Sequence, residues 1–182
     1  MEVKKRKISK DILNVIRTNM RNNIELTHIA DNKANVLLSL NALMLTFLLP
    51  LILPYMDIIR EQLLYIPLGV LVVTCFVTIY IAAQVLKPGK FYQKSEDVKA
   101  GRRVSPFFFG NFYRMGLAEF RVYLKDGVSD EDVFKDHIVE DLHYIGVRLG
   151  EKMYQIRIAY SIFIAGFFSA IMLAMLLIII NG

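Results

Sequence analysis

The chain has a single cysteine, Cys75, among its 182 residues. No disulfide can form within it, and no thiolate cluster can hold a metal. Proline and glycine are missing from Lys10 to Leu49, so nothing in that stretch stops a helix. Asp, Glu, Lys and Arg are missing from three runs, Asn35 to Pro54, Leu63 to Leu86 and Ile158 to Ile180. A pore lined by rings of charge is therefore not expected. Also missing are a Gly-rich phosphate loop, a nucleophile elbow and a zinc-protease helix. An enzyme is accordingly not expected, and no catalytic residue, metal or cofactor is assigned. There is no internal repeat and no low-complexity segment.

What is present in excess is apolar surface. Hydrophobic residues make up 55% of the chain, above the 45–50% or so of soluble domains, and the three uncharged runs hold the surplus. Each is close to the ~20 residues a helix needs to cross ~30 Å of hydrocarbon. The reading is an all-α membrane protein with three transmembrane helices, of which the first and third continue into a cytoplasmic helical bundle. Its parts are a cytoplasmic helix over 1–34, spans over 35–54, 63–86 and 158–180, a short outer loop over 55–62, and a cytoplasmic sensing region over 87–157. A secretory signal peptide is not expected, because a polar segment precedes the first run and no small-residue cleavage site follows it.

Charge gives the orientation. Residues 1–34 carry eight Lys/Arg and four acids, and residues 87–157 carry thirteen Lys/Arg and eleven acids. The loop 55–62 carries one Arg and two acids. The positive-inside rule puts the N-terminus and the long middle segment in the cytoplasm, with the short loop and the C-terminal end outside. The MEVKKRK cluster suits anionic lipid headgroups. A nucleic-acid partner is disfavoured, since acids are interleaved with the bases.

Ser9 is placed to cap the first helix, where Ile12, Ile16, Met20 and Ile24 recur at helical spacing. Its cytoplasmic half would project about 35 Å. At the other end, an Asp126-Gly127 turn and an acid-rich start at Ser129 precede Phe134, Ile138, Leu142, Ile145, Leu149, Met153 and Ile156, one stripe on a helix that enters the third span. Between the two helices lie an irregular segment, an aromatic knot from Ser105 to Gly110, and a short amphipathic helix expected over 111–125.

Several residue groups carry competing readings. Phe107, Phe108 and Phe109 either plug a gap between elements or offer a base-stacking surface; the latter gains from nearby Arg102, Arg103 and Arg114, and from Asn111 at a helix start suited to phosphate. Thr27, Asp31 and Asn35 share one helix face with Lys33 pointing elsewhere, and they serve either as interfacial anchors or as part of a sensor. Asn41, deep in the first span, needs a partner on another helix or a water-filled path. Gly166, Ser169, Ala170 and Ala174 make a small-residue stripe, a seam either within one subunit or between subunits. His137 and Asp141 share one face while Glu140 and His143 share another, so no single face gathers three metal ligands.

ADNKANVLLSLNALMLTFLL at the first span, a second span, SPFFFGNF in the cytoplasmic segment and a last long helix running into a final span together resemble the transmembrane effectors of pyrimidine cyclic nucleotide antiphage systems, the Pycsar effectors. The resemblance covers nearly the whole chain. It implies a circuit in which a cyclase, activated by phage infection, makes cyclic UMP or cyclic CMP. The effector binds it, and the inner membrane is compromised so that infection aborts. Relatives fused to phosphohydrolase modules exist, and these 182 residues carry none. A cyclic mononucleotide needs a cation or helix N-terminus, an apolar slot and an amide or carboxylate. Asp31, Lys33 and Asn35, with Arg102, Arg103, Phe107, Phe108, Phe109, Asn111 and Arg114, supply those types. The expected partners are the cyclic nucleotide, membrane lipid, further copies of the chain and a pyrimidine nucleotide cyclase. The alternative is a constitutive membrane scaffold that docks a protein and takes no small ligand.

Overall fold

The computed structural model describes residues 10–87, 105, 112–113, 115–129 and 131–181. These are helical almost throughout, in the order α1 (Lys10–Ile52), a 3-10 turn (Leu53–Tyr55), α2 (Met56–Glu61), α3 (Tyr65–Leu86), α4 (Leu117–Val128) and α5 (Glu131–Asn181). Three helices are long and apolar enough to cross a membrane. The chain divides into two compact units, Thr27–Lys87 with Gly150–Gly182, and Met1–Leu26 with Pro88–Leu149. Helix α1 is unbroken at residue 34 and α5 at residue 157.

In the first unit the three spans meet along narrow stripes. On α1 the inward positions are Ala30, Ala34, Leu37 and Asn41, at steps of four and three. On α5 they are Ile156, Ala159, Gly166 and Ala170, and on α3 Thr74, Thr78, Ala82 and Val85. The apolar core is Ala34, Leu37, Ala82, Val85, Ile156 and Ala159. Hydrocarbon gives helices no hydrophobic reason to associate, so close approach of small residues must supply the contact. Successive contacts show α1 and α5 running parallel, with α3 antiparallel to both. Asp31 meets Lys152, Lys33 meets Tyr160, Asn41 meets Thr78, and Asn181 meets Gln62. From Lys152 to Asn181 the helical rise covers about 44 Å, the thickness of a bilayer with its headgroups. Only 12% and 6% of the apolar windows of α1 and α5 are buried within the chain, against 28% for α3. Helix α3 is thus the central element, and most of α1 and α5 faces outward.

Four local expectations are corrected. The stretch 55–62 is not an open loop: a 3-10 turn and α2 fill it. It closes with Leu64 N–H donating to the Ile59 carbonyl at 2.9 Å and Leu63 N–H to Arg60 at 3.3 Å, a Schellman arrangement in which Leu63 takes a φ of 57°. Glycine normally fills that position, and the leucine Cβ costs roughly 1–2 kcal/mol there. The helix expected over 111–125 is α4, Leu117–Val128, starting after an extended Gly116. Asp126-Gly127 makes no turn. The stop comes at Ser129, whose Oγ donates to the Asp126 carbonyl at 2.7 Å, satisfying an orphan acceptor of the last turn. Finally, the half-buried edge of α1 runs through Ile16, Met20, Asn23 and Thr27, leaving Ile12 and Ile24 exposed. A four-residue spacing drifts around the helix, whereas alternating fours and threes hold a seam with the 3.5-residue period of left-handed bundles.

Gly166 sits directly against Thr74. A Cβ placed on it would lie 2.8 Å from Thr74 Cβ and nearer still to the hydroxyl and methyl. The threonine cannot swing aside freely, because it is β-branched and its Oγ donates to the Val70 carbonyl at 2.8 Å. Gly166→Ala should therefore destabilise the membrane unit by about 1–3 kcal/mol, read as thermal unfolding in micelles. Adding Thr74→Ala should restore only part of the loss, because the Cβ at 74 stays 2.8 Å away; a Gly166→Ala protein as stable as the parent would remove the close contact.

Candidate ligand-sensing region and its polar anchors

Among the described residues, polar side chains gather in each of the two compact units. The first group lies at the base of the spans, where α1 and α5 are brought together by Ala30, Ala34 and Ala159, all fully buried. Beside this contact Lys152 Nζ donates to Asp31 Oδ1 at 2.6 Å, with the two side chains about three-quarters and two-thirds buried. One step further, Tyr160 Oη donates to the Lys33 carbonyl at 3.2 Å. The side chains of Asn32, Lys33 and Asn35 are exposed at this level. The ADNKAN segment is therefore two buried alanines that let the helices touch, one paired carboxylate and three side chains free to face solvent.

Deeper in the span, Asn41 is fully buried. Its Nδ2 donates to the Leu37 carbonyl at 2.7 Å, and its Oδ1 accepts from Thr78 Oγ at 3.0 Å. The amide thus bonds across to α3 instead of facing hydrocarbon, where an unpartnered polar group costs several kcal/mol. Of the small-residue stripe, Gly166 and Ala170 turn inward within this chain. Ala174 lines a cleft between the spans. Ser169 is exposed and donates to the Gly166 carbonyl of its own helix at 2.9 Å.

The second cluster lies in the other unit. Ser105, which opens the SPFFFGNF segment, is fully buried and its Oγ donates to Asp141 Oδ2 at 2.7 Å. His137, one turn before Asp141 on α5, is also buried, with an Nδ1 that has no hydrogen-bond partner. That nitrogen lies 4.0 Å from Glu140 Oε2. The Phe112 and Phe120 rings pack at a centroid separation of 4.7 Å, fixing the end of the same segment on α4. Burial pushes the Asp141 carboxyl above the usual range, with the Ser105 hydroxyl and the His137 charge working against that shift. Burial also raises the Tyr123 phenol, helped by the negative charges of Asp141 and Glu140. Among the described residues no group of three His, Cys, Asp or Glu is arranged to hold a metal ion.

Of the residues assigned to ligand binding from sequence, Asp31, Lys33 and Asn35 fall at the α1–α5 contact. Arg102, Arg103, Phe107, Phe108, Phe109, Asn111 and Arg114 lie outside the described residues. Lys152 and the Ser105–Asp141 bond were not anticipated. A carboxylate and an ammonium 121 positions apart give no local signal in the sequence. The profile of the Pycsar effector protein domain matches residues 14–180. The chain belongs to the Pycsar effector family. No curated protein and no solved structure matches it. Membership gives the protein a role in Pycsar antiphage defence, connects it to a cyclic nucleotide signalling system, and agrees with three membrane-crossing helices.

Two outcomes follow from the anchors. In a double-mutant cycle, Asp31→Ala and Lys152→Ala should show a coupling of about 1 kcal/mol, the scale for a partly exposed pair. The exchanged pair Asp31→Lys with Lys152→Asp should recover it, and strictly additive single losses would deny the pairing. For Asp141 the folded pKa exceeds the unfolded one. Its charge thus opposes folding above the folded pKa, and that cost disappears as pH falls through it towards the ordinary value of about 3.9. Asp141→Asn, which can still accept from Ser105, should raise stability at neutral pH and flatten the profile below it. Ser105→Ala should do the reverse, costing on the order of 1–3 kcal/mol at neutral pH; thermal melts across pH decide.

Proposed function

We propose that this Pycsar effector is a bacterial inner-membrane protein, N-terminus cytoplasmic, that binds cyclic UMP or cyclic CMP and in response impairs the membrane, aborting infection. The observation that carries the reading is the family match across residues 14–180 on a chain whose α1 and α5 each join a polar half to a span without a break in the helix. The protein acts by binding and not by chemistry on the nucleotide, needs no cofactor, and works as a homo-oligomer in concert with a pyrimidine nucleotide cyclase. The broad faces of α1 and α5 that the single chain leaves uncovered are where further copies would meet.

The mechanism is a competition of anions. In the structure the Asp31 carboxylate is paired with the Lys152 ammonium. A cyclic nucleotide offers a phosphodiester, a second anion for the same ammonium, and the Lys33 side chain is exposed at the same level of α1. Exchange of one anion for the other alters the α1–α5 contact at Ala30, Ala34 and Ala159. Only a ligand that binds the altered arrangement more tightly shifts the equilibrium. Because each helix is continuous, a change at its polar half is passed into its span.

The test is dye entry into cells expressing the chain and supplied with cyclic UMP or cyclic CMP. Permeability should rise with one of them. Lys152→Ala and Arg103→Ala should abolish the rise while leaving membrane insertion intact, whereas Asp31→Ala, which removes the competing anion from Lys152, should lower the nucleotide concentration needed or raise permeability without it. Unchanged permeability, together with no heat on calorimetric titration with a panel of cyclic mononucleotides, would favour a ligand-free scaffold instead.

A further inference from the structure

Between the outer halves of α1, α3 and α5 lies an open cleft of about 400 Å³, with walls that are almost wholly apolar. Leu48 and Tyr55 bound it on one side, Pro67 and Leu71 on α3 form its back, and Phe167 and Ala174 on α5 close the other side. Its depth is set by the contacts around it. The Asn41–Thr78 bond lies on the inner side, and the Asn181–Gln62 bond marks the outer end. The cleft therefore occupies the hydrocarbon of the membrane half that carries α2. Among the residues named, only Tyr55 has a polar tip; it is more than half exposed and stands at the outer end, where aromatic side chains sit at headgroup level.

We infer that this cleft holds one acyl chain of a bilayer phospholipid, inserted between the three spans with its head beside Tyr55. Three physical points carry this. Water gains nothing from a site without polar partners. An unfilled cleft would forfeit dispersion contacts along all its walls. The size also suits a chain: about 150 Å³ takes benzene, so a volume above twice that has room for roughly sixteen carbons. The small residues Ala170 and Ala174 on α5 are what hold the space open, since a leucine at either position would fill part of it. The inserted chain props the outer ends of the spans apart while their inner ends pack directly through alanines. Lipid packing thereby gains a direct hold on the spans, whatever ligand acts at their base.

The chain contains no tryptophan, so single-Trp reporters are unambiguous. Full-length Leu71→Trp, with Phe167→Trp as a second reporter inside the cleft, is reconstituted in phosphatidylcholine vesicles with mid-chain brominated acyl tails. Phe168→Trp, on an outward face that is 61% exposed, reports ordinary lipid contact. Bromine should quench the cleft reporters to the same fraction as Phe168→Trp, and a filling substitution, Ala174→Phe, should suppress quenching at Leu71→Trp and leave Phe168→Trp unchanged. Bright cleft reporters beside a quenched Phe168→Trp would overturn the inference, because the space is then collapsed or taken by another copy of the chain. Quenching at the cleft reporters that ignores Ala174→Phe would overturn it too, as the contact is then with lipid around the protein and not in the cleft.

Discussion

Helices in hydrocarbon cannot be held together by hiding apolar surface from lipid, because lipid is just as apolar. Everything in the membrane unit follows from the substitute, which is close approach along a narrow stripe. Ala30, Ala34 and Ala159 allow α1 and α5 to touch, and Gly166 makes room for Thr74. Leu37 and Val85 fill what remains. The stripe is only one residue wide on α1 and α5, so both helices keep broad apolar faces that the chain itself leaves uncovered. Such a unit is held by a few specific contacts and has little else to resist rearrangement. That combination suits a protein that must change state in a membrane without unfolding.

Polar contacts then fix register at successive depths. Asp31–Lys152 sits at the base, Asn41–Thr78 within the span, and Asn181–Gln62 at the far end. Each is individually modest, but each can be made at only one axial offset of its two helices. The Asn41 amide is the strictest, since sliding it away from Thr78 would leave a carbonyl oxygen unpaired among alkyl groups. The base pair is the most permissive, because its groups are partly exposed and water or another ion can replace either partner. The arrangement is thus firmest in the middle of the membrane and loosest at the polar end, where the proposed ligand acts.

Much of this was legible in the sequence because absence is a strong local signal. Forty residues without proline or glycine predict α1 with little error at either end, and three uncharged runs predict the spans. The stretch 55–62 misled because its apolar and charged residues have no stop signal except a leucine in a left-handed conformation, which sequence preferences assign to glycine. Asp126-Gly127 misled for the opposite reason: a strong turn dipeptide lost to a serine cap three residues beyond the aspartate. The candidate site was harder. Asp31 was singled out from its neighbours on one helix face, but the partner that decides its role comes from α5, and a contact of that range leaves no trace in spacing. Ser105 was part of a motif read for its phenylalanines, while its own bond is to Asp141.

The energetics of the proposed switch bear on assembly. Taking a two-state protein from one part in a hundred active to ninety-nine requires about 5.5 kcal/mol of differential binding. Exchanging Asp31 for a phosphate at Lys152 rearranges an interaction worth about 1 kcal/mol, since both anions satisfy the same ammonium. One such exchange in an isolated chain would shift the population several-fold and leave most copies at rest. If several copies share one concerted transition, their ligands add, and a modest preference at each base becomes a decisive one for the assembly. The uncovered faces of α1 and α5 are where such copies would meet. On this mechanism oligomerisation is a requirement of the switch, because weak local exchange and a sharp membrane response are compatible only when many sites act on one state.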